Sequence, residues 1–316
     1  MERKKRFADA GQIMKISIDG EMDIDKGGRQ GFLSMMAESL CSHHGFRIVG
    51  KKDKSDIHLN SISGNTKNGS VNVLRIDGIY YDSERLAKNK SIVKSAKAHD
   101  HVIFQSNFSK VNFEKITGAN VKSTIIFNGA KRLASINNGK NLLIGCSAKW
   151  RVNKRLEGIL EAIRIARIST GQDIKLKVIG QPDVNLPSYC IYTGQISNTL
   201  VQRELSECCA FIHICHIESC PNSVIEALLV GLPVLTNNIG GTQEIVGSDG
   251  IVSKIDHWDF KPIKNMDSTK LNRSQTELLA HDVASIIKFD KNVIRDDLLI
   301  RNISSKYAAL FKEIAK

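Results

Sequence analysis

The chain has 316 residues, 41% hydrophobic and 25% charged, a composition that supports packed cores and excludes disordered or collagen-like chains. That length is long for one domain and comfortable for two. Forty-five Lys and Arg against thirty-three Asp and Glu leave a net charge of +12, which suits an anionic partner without choosing among nucleic acid, acidic lipid and phosphorylated substrate.

Short apolar runs alternate with helical patterns from end to end, which predicts an α/β chain with parallel sheets. The first strand is Met14–Asp19, followed by a Gly-rich stretch, Asp25–Gly31, and a helix through Phe32–Leu40. Ser61–Ser70 reads as an exposed polar loop. Strands follow at Val71–Ile76, Val102–Gln105 and Thr124–Phe127, with a helix over Glu84–Ala98 between them. On that helix Leu86, Ile92, Val93 and Ala96 share one arc, and Lys90, Lys94 and Lys97 fill the arc beside it. This is either a solvated face or a surface for anionic lipid or a phosphorylated acceptor. Lys131–Lys140 has linker composition.

The alternation then repeats. Strands are expected at Asn141–Gly145, Ile174–Ile179, Cys190–Tyr192, Ala210–Ile214, Pro233–Thr236 and Gly250–Val252. Helices are expected at Leu156–Ser169, Thr199–Glu207, Asn222–Val230, Gly241–Val246 and, finally, Arg295–Ala315. Two Rossmann-like halves result: residues 1–130, and 131–316 with a terminal helix from about 295.

No apolar run reaches the ~18–20 residues of a spanning helix. The basic start, Met1–Phe7, has no apolar stretch after it and does not read as a secretory signal. Seven cysteines without a Cys-x-x-Cys pair argue against a disulfide framework and for a reducing, cytoplasmic setting. Cys215 and Cys220 with His213 and His216 lack zinc-ligand spacing and read as core cysteines beside a turn.

The most informative stretch runs from His216 to Thr236: strand, turn, helix, Gly-Leu-Pro stop, strand. Pro221 disfavours an earlier helix start, and Asn222 is a good N-cap. The helix tip at Ser223, Val224 and Ile225 then offers N–H groups and partial positive charge to a phosphate. Glu226 can lay two acceptor oxygens against two vicinal hydroxyls, as a ribose offers. Glu218, in the preceding turn, can reach a second polyol beyond the phosphates. Together these describe a site for a nucleotide sugar.

Glu218-x7-Glu226, followed by Ala-Leu and Gly-Leu-Pro-Val, resembles the signature of retaining glycosyltransferases of the GT-B fold, family 4. Gly240-Gly-Thr-Gln-Glu244 resembles that family's Gly-Gly-x-x-Glu step. The resemblance covers nearly the whole chain, densest from Leu142 to Gly247. It implies two Rossmann-like domains facing each other across a cleft, with the terminal helix packing back towards the first. It implies donor ribose on Glu226 and donor sugar near Glu218. It also implies a Lys and an Arg at the mouth of the second sheet for the diphosphate: Lys154 by position, and Arg151 or Lys149. Arg155 stands where Gly often follows that Lys. Fixed cations there would stabilise the departing diphosphate. Gly27 and Gly28 match the family's Gly-rich phosphate loop, or are plain turn glycines. In Arg75-Ile-Asp-Gly, Asp77 is a residue to orient or deprotonate the acceptor, or a turn cap, and Arg75 one to bind an anion.

The expected activity is transfer of a sugar from a nucleotide-diphosphate sugar to a glycan, lipid-linked or other hydroxyl acceptor with retention. No cofactor beyond that donor is expected. No carboxylate pair stands out as nucleophile and acid, so front-face displacement is expected, with the leaving diphosphate taking the acceptor's proton. A metal need not be invoked, and Asp23-Ile-Asp25 reads as loop acids. The expected partners are a nucleotide sugar, an acceptor and, peripherally, an anionic membrane; with 6% aromatics and no groove-reading motif, nucleic acid is not among them. The rivals are a nucleotide-sugar epimerase and a non-catalytic nucleotide-sugar or polyanion-binding protein.

Overall fold

The computed structural model describes residues 13–20, 22–23, 28–62, 64, 67–134, 142–290 and 293–316. Gly27, Asp25 and most of the expected linker lie outside these residues. Two six-stranded sheets organise the rest, and every strand pairing in them is parallel.

The first sheet contains β1 (Met14–Ile18), β2 (Phe46–Ile48), β3 (Ser55–Ser61), β4 (Gly69–Ile76), β5 (His101–Phe104) and β6 (Ser123–Ile125), in the order β2-β1-β3-β4-β5-β6. Its helices are α1 (Gly28–His44), α2 (Asn89–Ala98) and α3 (Asn107–Thr117). The second contains β7 (Leu143–Ser147), β8 (Lys175–Ile179), β9 (Cys190–Gly194), β10 (Ala210–His213), β11 (Val234–Asn237) and β12 (Gly250–Ser253). Its order is β12-β11-β10-β7-β8-β9. Around it lie α4 (Leu156–Thr170), α5 (Asn198–Leu205), α6 (Asn222–Leu229), α7 (Thr242–Val246) and α8 (Arg273–Ile286), and the chain ends on α9 (Ile300–Ile314).

Parallel strands need crossover connections, and the helices that make them cover both faces. The central strands are accordingly buried along their length: all four residues of β5, β10 and β11 are buried. In α1, Phe32, Leu33, Met36, Ala37 and Leu40 recur at helical spacing and face β1, β3 and α9. α9 packs back on α1: the Ser39 and Ser304 hydroxyls lie 2.7 Å apart, and the Phe32 and Tyr307 rings are 6.2 Å apart.

Several elements escape the sequence pattern. β3 reads Ser-Asp-Ile-His-Leu-Asn-Ser, too polar to announce a central strand. Two of its buried polar residues are anchored by other elements: the Ser17 hydroxyl meets His58 Nδ1 at 2.6 Å, and the Asn60 amide donates to His99 Nε2 at 2.8 Å. α3 is capped by reciprocal Ser106–Ser109 bonds and α8 by Asn272 with Gln275, two capping boxes that fix helix starts. The helix expected from Glu84 begins as an α-helix only at Asn89, because that side chain is tied to both backbone groups of Tyr80 at 2.9 and 2.7 Å.

The two halves meet through specific polar contacts. Glu244 accepts from the backbone N–H groups of Asn107 and Phe108 at 2.8 and 2.6 Å. It thereby caps the amino terminus of α3 from the other half of the molecule, where negative charge is favoured. Gly241 permits the approach: a Cβ there would lie 2.0 Å from the Ser219 carbonyl oxygen and 2.4 Å from Ser106 Oγ. Glu244→Ala should therefore lower stability by about 1–2 kcal/mol and enlarge the radius of gyration in X-ray scattering. If neither quantity changes, Glu244 does not hold the halves together.

Candidate functional site

In the second sheet the strand order reverses between β7 and β10, and crevices beyond the carboxyl ends of strands at such a point bind ligands. The loops leaving β7 and β10 are the ones that carry Lys154 and Glu218. Lys154 closes a 3-10 turn, Val152–Lys154, and Arg155 follows in the left-handed region at φ 56°. That conformation explains why a glycine fits this position. Here the arginine is held there by its own bonds: two to the Asp256 carboxylate at 2.7 Å each, one to His216 Nδ1 at 2.9 Å and one to the Thr269 carbonyl. Burial alone would raise the Asp256 pKa, but His216 and Arg155 more than offset it and hold it below the usual range.

Lys154 Nζ pairs directly with Glu218 Oε2, and His213 Nε2 lies 3.3 Å from the same oxygen. Burial opposes the charge on Glu218, yet Lys154 and His213 prevail and its pKa is lowered. Burial opposes the charge on Lys154 too, and Glu218 prevails, so its pKa is raised. Burial lowers the His213 pKa against the pull of Glu218, with Lys154 adding to the lowering. His213, Cys215 and Glu218 have ligand-type atoms within 4.8 Å of one another. An ammonium already occupies the carboxylate, however, and burial keeps the Cys215 thiol protonated; this is a Lys–Glu–His cluster rather than a ligand set.

The tip of α6 faces the first half of the molecule. Pro221, in extended conformation, is the N-cap, so Asn222 is the first helical residue rather than the expected cap. Its side chain reaches across instead, donating to the Gly28 carbonyl at 3.0 Å and accepting from Asn128 Nδ2 at 2.8 Å. Val224 N–H donates to the Pro221 carbonyl at 3.2 Å, whereas Ser223, in the first turn, has no intrahelical acceptor for its N–H. Gly28 opens α1 at φ +56° with nothing near its absent Cβ, so the backbone conformation, not space, asks for glycine there. The side chain of Glu226, half-buried on α6, makes no hydrogen bond or ion pair among the described residues, and burial pushes its pKa up to about 8.

Between the halves lies a cleft of about 370 Å³, entered by Asp77, Tyr81 and Asn112 from one side and by Lys149, Arg151, Lys154 and Glu218 from the other. Lys149 and Arg151 form no ion pair among the described residues. Asp77 accepts from Gln105 at 2.6 Å and pairs with Arg75 at 2.5 Å. Arg75 cannot take an exogenous anion, contrary to the expectation from sequence. It is fully buried, its guanidinium sits 4.3 Å from the centre of the Phe32 ring, and it donates to Asn128 Oδ1 at 2.5 Å. A larger hollow of about 830 Å³ lies between α4 and α8. Neither Lys154, Glu218 nor Asp77 lines it, and its charges largely pair among themselves, as Arg164 with Glu161 and Arg273 with Glu277.

Residues 141–260 match the family model described as Glycosyl transferases group 1. A capsular polysaccharide biosynthesis glycosyltransferase, CapM, of Staphylococcus aureus is 24% identical over 249 residues, 70% of this chain and 62% of that protein; the chain thus spans less than two thirds of that relative. Alr3699/HepE of Anabaena, solved with UDP and glucose, superposes with a TM-score of 0.61 at 14% identity, over 95% of this chain and all of that one. Sucrose-phosphate synthase (tll1590) of Thermosynechococcus elongatus gives 0.64 at 12% identity, over 95% and 99%. The fold is GT-B.

Within this GT-B frame the strand ends bring Lys154, Glu218, Arg151, Lys149 and Asp77 to one cleft, while Asn222 sits against Gly28 and Asn128 of the first half and neither Ser223 nor Glu226 is among the residues lining that cleft. Sequence reasoning passed over His213 as a partner of Glu218, and over Tyr81 and Asn112 altogether. The only signal for His213 was its place at the end of β10. Among the described residues no helix is long and apolar enough to cross a membrane.

Proposed function

We propose that this chain is a retaining glycosyltransferase that moves a sugar from a nucleotide-diphosphate sugar to a glycan, lipid-linked or other hydroxyl acceptor. The observation that carries the reading is the Lys154–Glu218 pair in the cleft, taken together with the partnerless carboxyl of Glu226 on α6, the helix that follows Glu218 in the chain. Glu226 is a half-buried carboxyl without a polar partner, which a ribose diol would satisfy with two hydrogen bonds. From there the diphosphate would lie along the tip of α6 at Ser223, towards the cations of the β7 loop. The donor sugar would then meet Glu218. UDP-sugars are the first donors to test, since HepE was solved with UDP-glucose.

In the reaction the acceptor oxygen forms its bond to the anomeric carbon on the face from which the diphosphate departs. The diphosphate leaves with the electron pair of the broken C–O bond and takes the acceptor's proton. Lys154, with Arg151 or Lys149, stabilises the charge gathering on it. This charge work requires no metal ion. Asp77, already ion-paired to Arg75, orients the acceptor hydroxyl as a hydrogen-bond acceptor. Closure of the halves over the cleft limits hydrolysis of the donor.

The lysines of α2 support a peripheral role at an anionic membrane on the cytoplasmic side. Lys90, Lys94 and Lys97 are exposed while Ile92 and Ala96 are buried, so attachment would be electrostatic and would weaken with salt; cosedimentation with anionic vesicles measures it. The catalytic reading is tested by incubation with UDP-, GDP- and dTDP-sugars, with products followed by chromatography and the anomeric coupling by NMR. Transfer or slow hydrolysis with retained configuration is expected. An inverted product, a free epimerised nucleotide sugar, or no turnover with any donor would contradict it.

A further inference from the structure

We infer that Asn112, with a ring wall made by Tyr81, Trp258 and Phe108, reads the acceptor, and that the acceptor group it reads is a sugar ring. The inference rests on the glycosyltransferase reading above and deepens it. Asn112 lies in the middle of α3, is only 3% exposed, and its Oδ1 meets no donor among the described residues. Its side chain lines the cleft opposite Lys154 and Glu218. A buried amide oxygen left without a partner is costly, and such atoms are few in folded proteins. Asparagine is also a poorer helix former than alanine. Neither helix propensity nor capping accounts for it there; a ligand hydroxyl would.

The surrounding rings favour a pyranose over a simple alcohol. Phe108 lies one turn before Asn112 on α3, and its ring is 6.0 Å from that of Trp258, which is 6.2 Å from that of Tyr81. Of the three, Tyr81 lines the cleft, and Trp258 and Phe108 extend the ring cluster from it without lining the cleft themselves. Aromatic faces take the apolar C–H face of a sugar, and a few placed polar groups fix its orientation. The Asn112 amide and the Asp77 carboxylate are those groups on this side. Trp258 follows β12, whereas Tyr81 and Phe108 belong to the first half. The wall is therefore complete only when the halves are together, the arrangement in which acceptor meets donor.

The chain has two tryptophans, so in a Trp150→Phe background the emission reports Trp258 alone. Methyl glycosides of common hexoses, titrated in the presence of saturating UDP, should change that emission saturably. Asn112→Ala should weaken the glycoside about three- to tenfold, the worth of one hydrogen bond. It should leave the UDP-induced thermal shift intact and not lower the thermal midpoint of the free protein. Saturation-transfer NMR on the chain with both tryptophans provides a second readout should Trp150→Phe fold poorly. The inference is overturned if no glycoside binds, if Asn112→Ala leaves glycoside affinity unchanged, if it weakens UDP instead, or if it merely destabilises the fold. Absence of any UDP shift in the unaltered chain would strike the donor reading, a separate failure.

Discussion

Glu226→Gln should make the free protein more stable at pH 8 while all but removing its affinity for UDP. The carboxyl is held at about 8 by burial, against an ordinary 4.5. Between those values the folded chain keeps a proton that the unfolded chain has released, so the stability of the unaltered protein falls as pH rises through that window. Glutamine abolishes the dependence. Because the side chain is half-buried rather than sealed, a gain of about 1–3 kcal/mol at pH 8 is expected, with little difference at pH 4.5. Binding moves the other way. Binding ionises the carboxyl at little cost at pH 8 and gives the diol two hydrogen bonds to a charged acceptor; an amide offers one or two weaker bonds, and affinity should fall about a hundredfold. Denaturant titrations at the two pH values and calorimetry with UDP check both halves. A variant that loses stability and keeps its affinity would place Glu226 in the packing and not in the donor site.

Lys154→Met should be the most damaging change to turnover. A loss of about 10²–10³ in the rate of transfer or donor hydrolysis is expected, the usual effect of removing one group that stabilises transition-state charge. Stability should fall as well, because Glu218 would keep a partly desolvated charge with the ammonium gone and only the His213 ring at 3.3 Å beside it. With its side chain 27% exposed, about 1–3 kcal/mol is expected, below the cost of breaking a fully buried pair. The pH dependence follows the sign of the shift. In the unaltered chain the Glu218 pKa is depressed, so its contribution is present above 4.5 and disappears only as pH falls through the lower folded value. Without the ammonium that loss moves upward in pH. Thermal melts from pH 3 to 7 on both proteins would show it; superimposable acid limbs would mean that the pair contributes nothing to the fold.

The second half was largely legible because its strands are continuous apolar runs closed by glycine or proline. Gly231-Leu-Pro, for example, stops α6 and starts β11 where the sequence places them. The loop holding Lys154 and the turn holding Glu218 were legible as motifs. Their direct contact was not, since it depends on β7 and β10 being neighbours although β8 and β9 intervene in sequence. β3 hid because His58 and Asn60 are buried polar residues held by residues distant in sequence, Ser17 and His99. The bond from Glu244 to α3 spans more than a hundred residues, and no local pattern encodes such a contact. Arg155 in a left-handed conformation likewise makes sense only once Asp256 and His216 are beside it. The burial of Arg75, which disqualifies it as an anion ligand, is invisible in a segment that otherwise reads as a strand end with a charged tip.

The central claim is that α6 and the β7 loop together hold a nucleotide-diphosphate sugar by its ribose and its phosphates. The most direct measurement is the thermal midpoint in the presence of UDP, uridine and inorganic diphosphate separately, for the unaltered chain and for Glu226→Gln and Lys154→Met. UDP should raise the midpoint of the unaltered chain well above either fragment, since a ligand bound only to the folded form stabilises it. Glu226→Gln should reduce the response to uridine, and Lys154→Met the response to diphosphate. An equal shift by UDP in all three proteins would contradict the account.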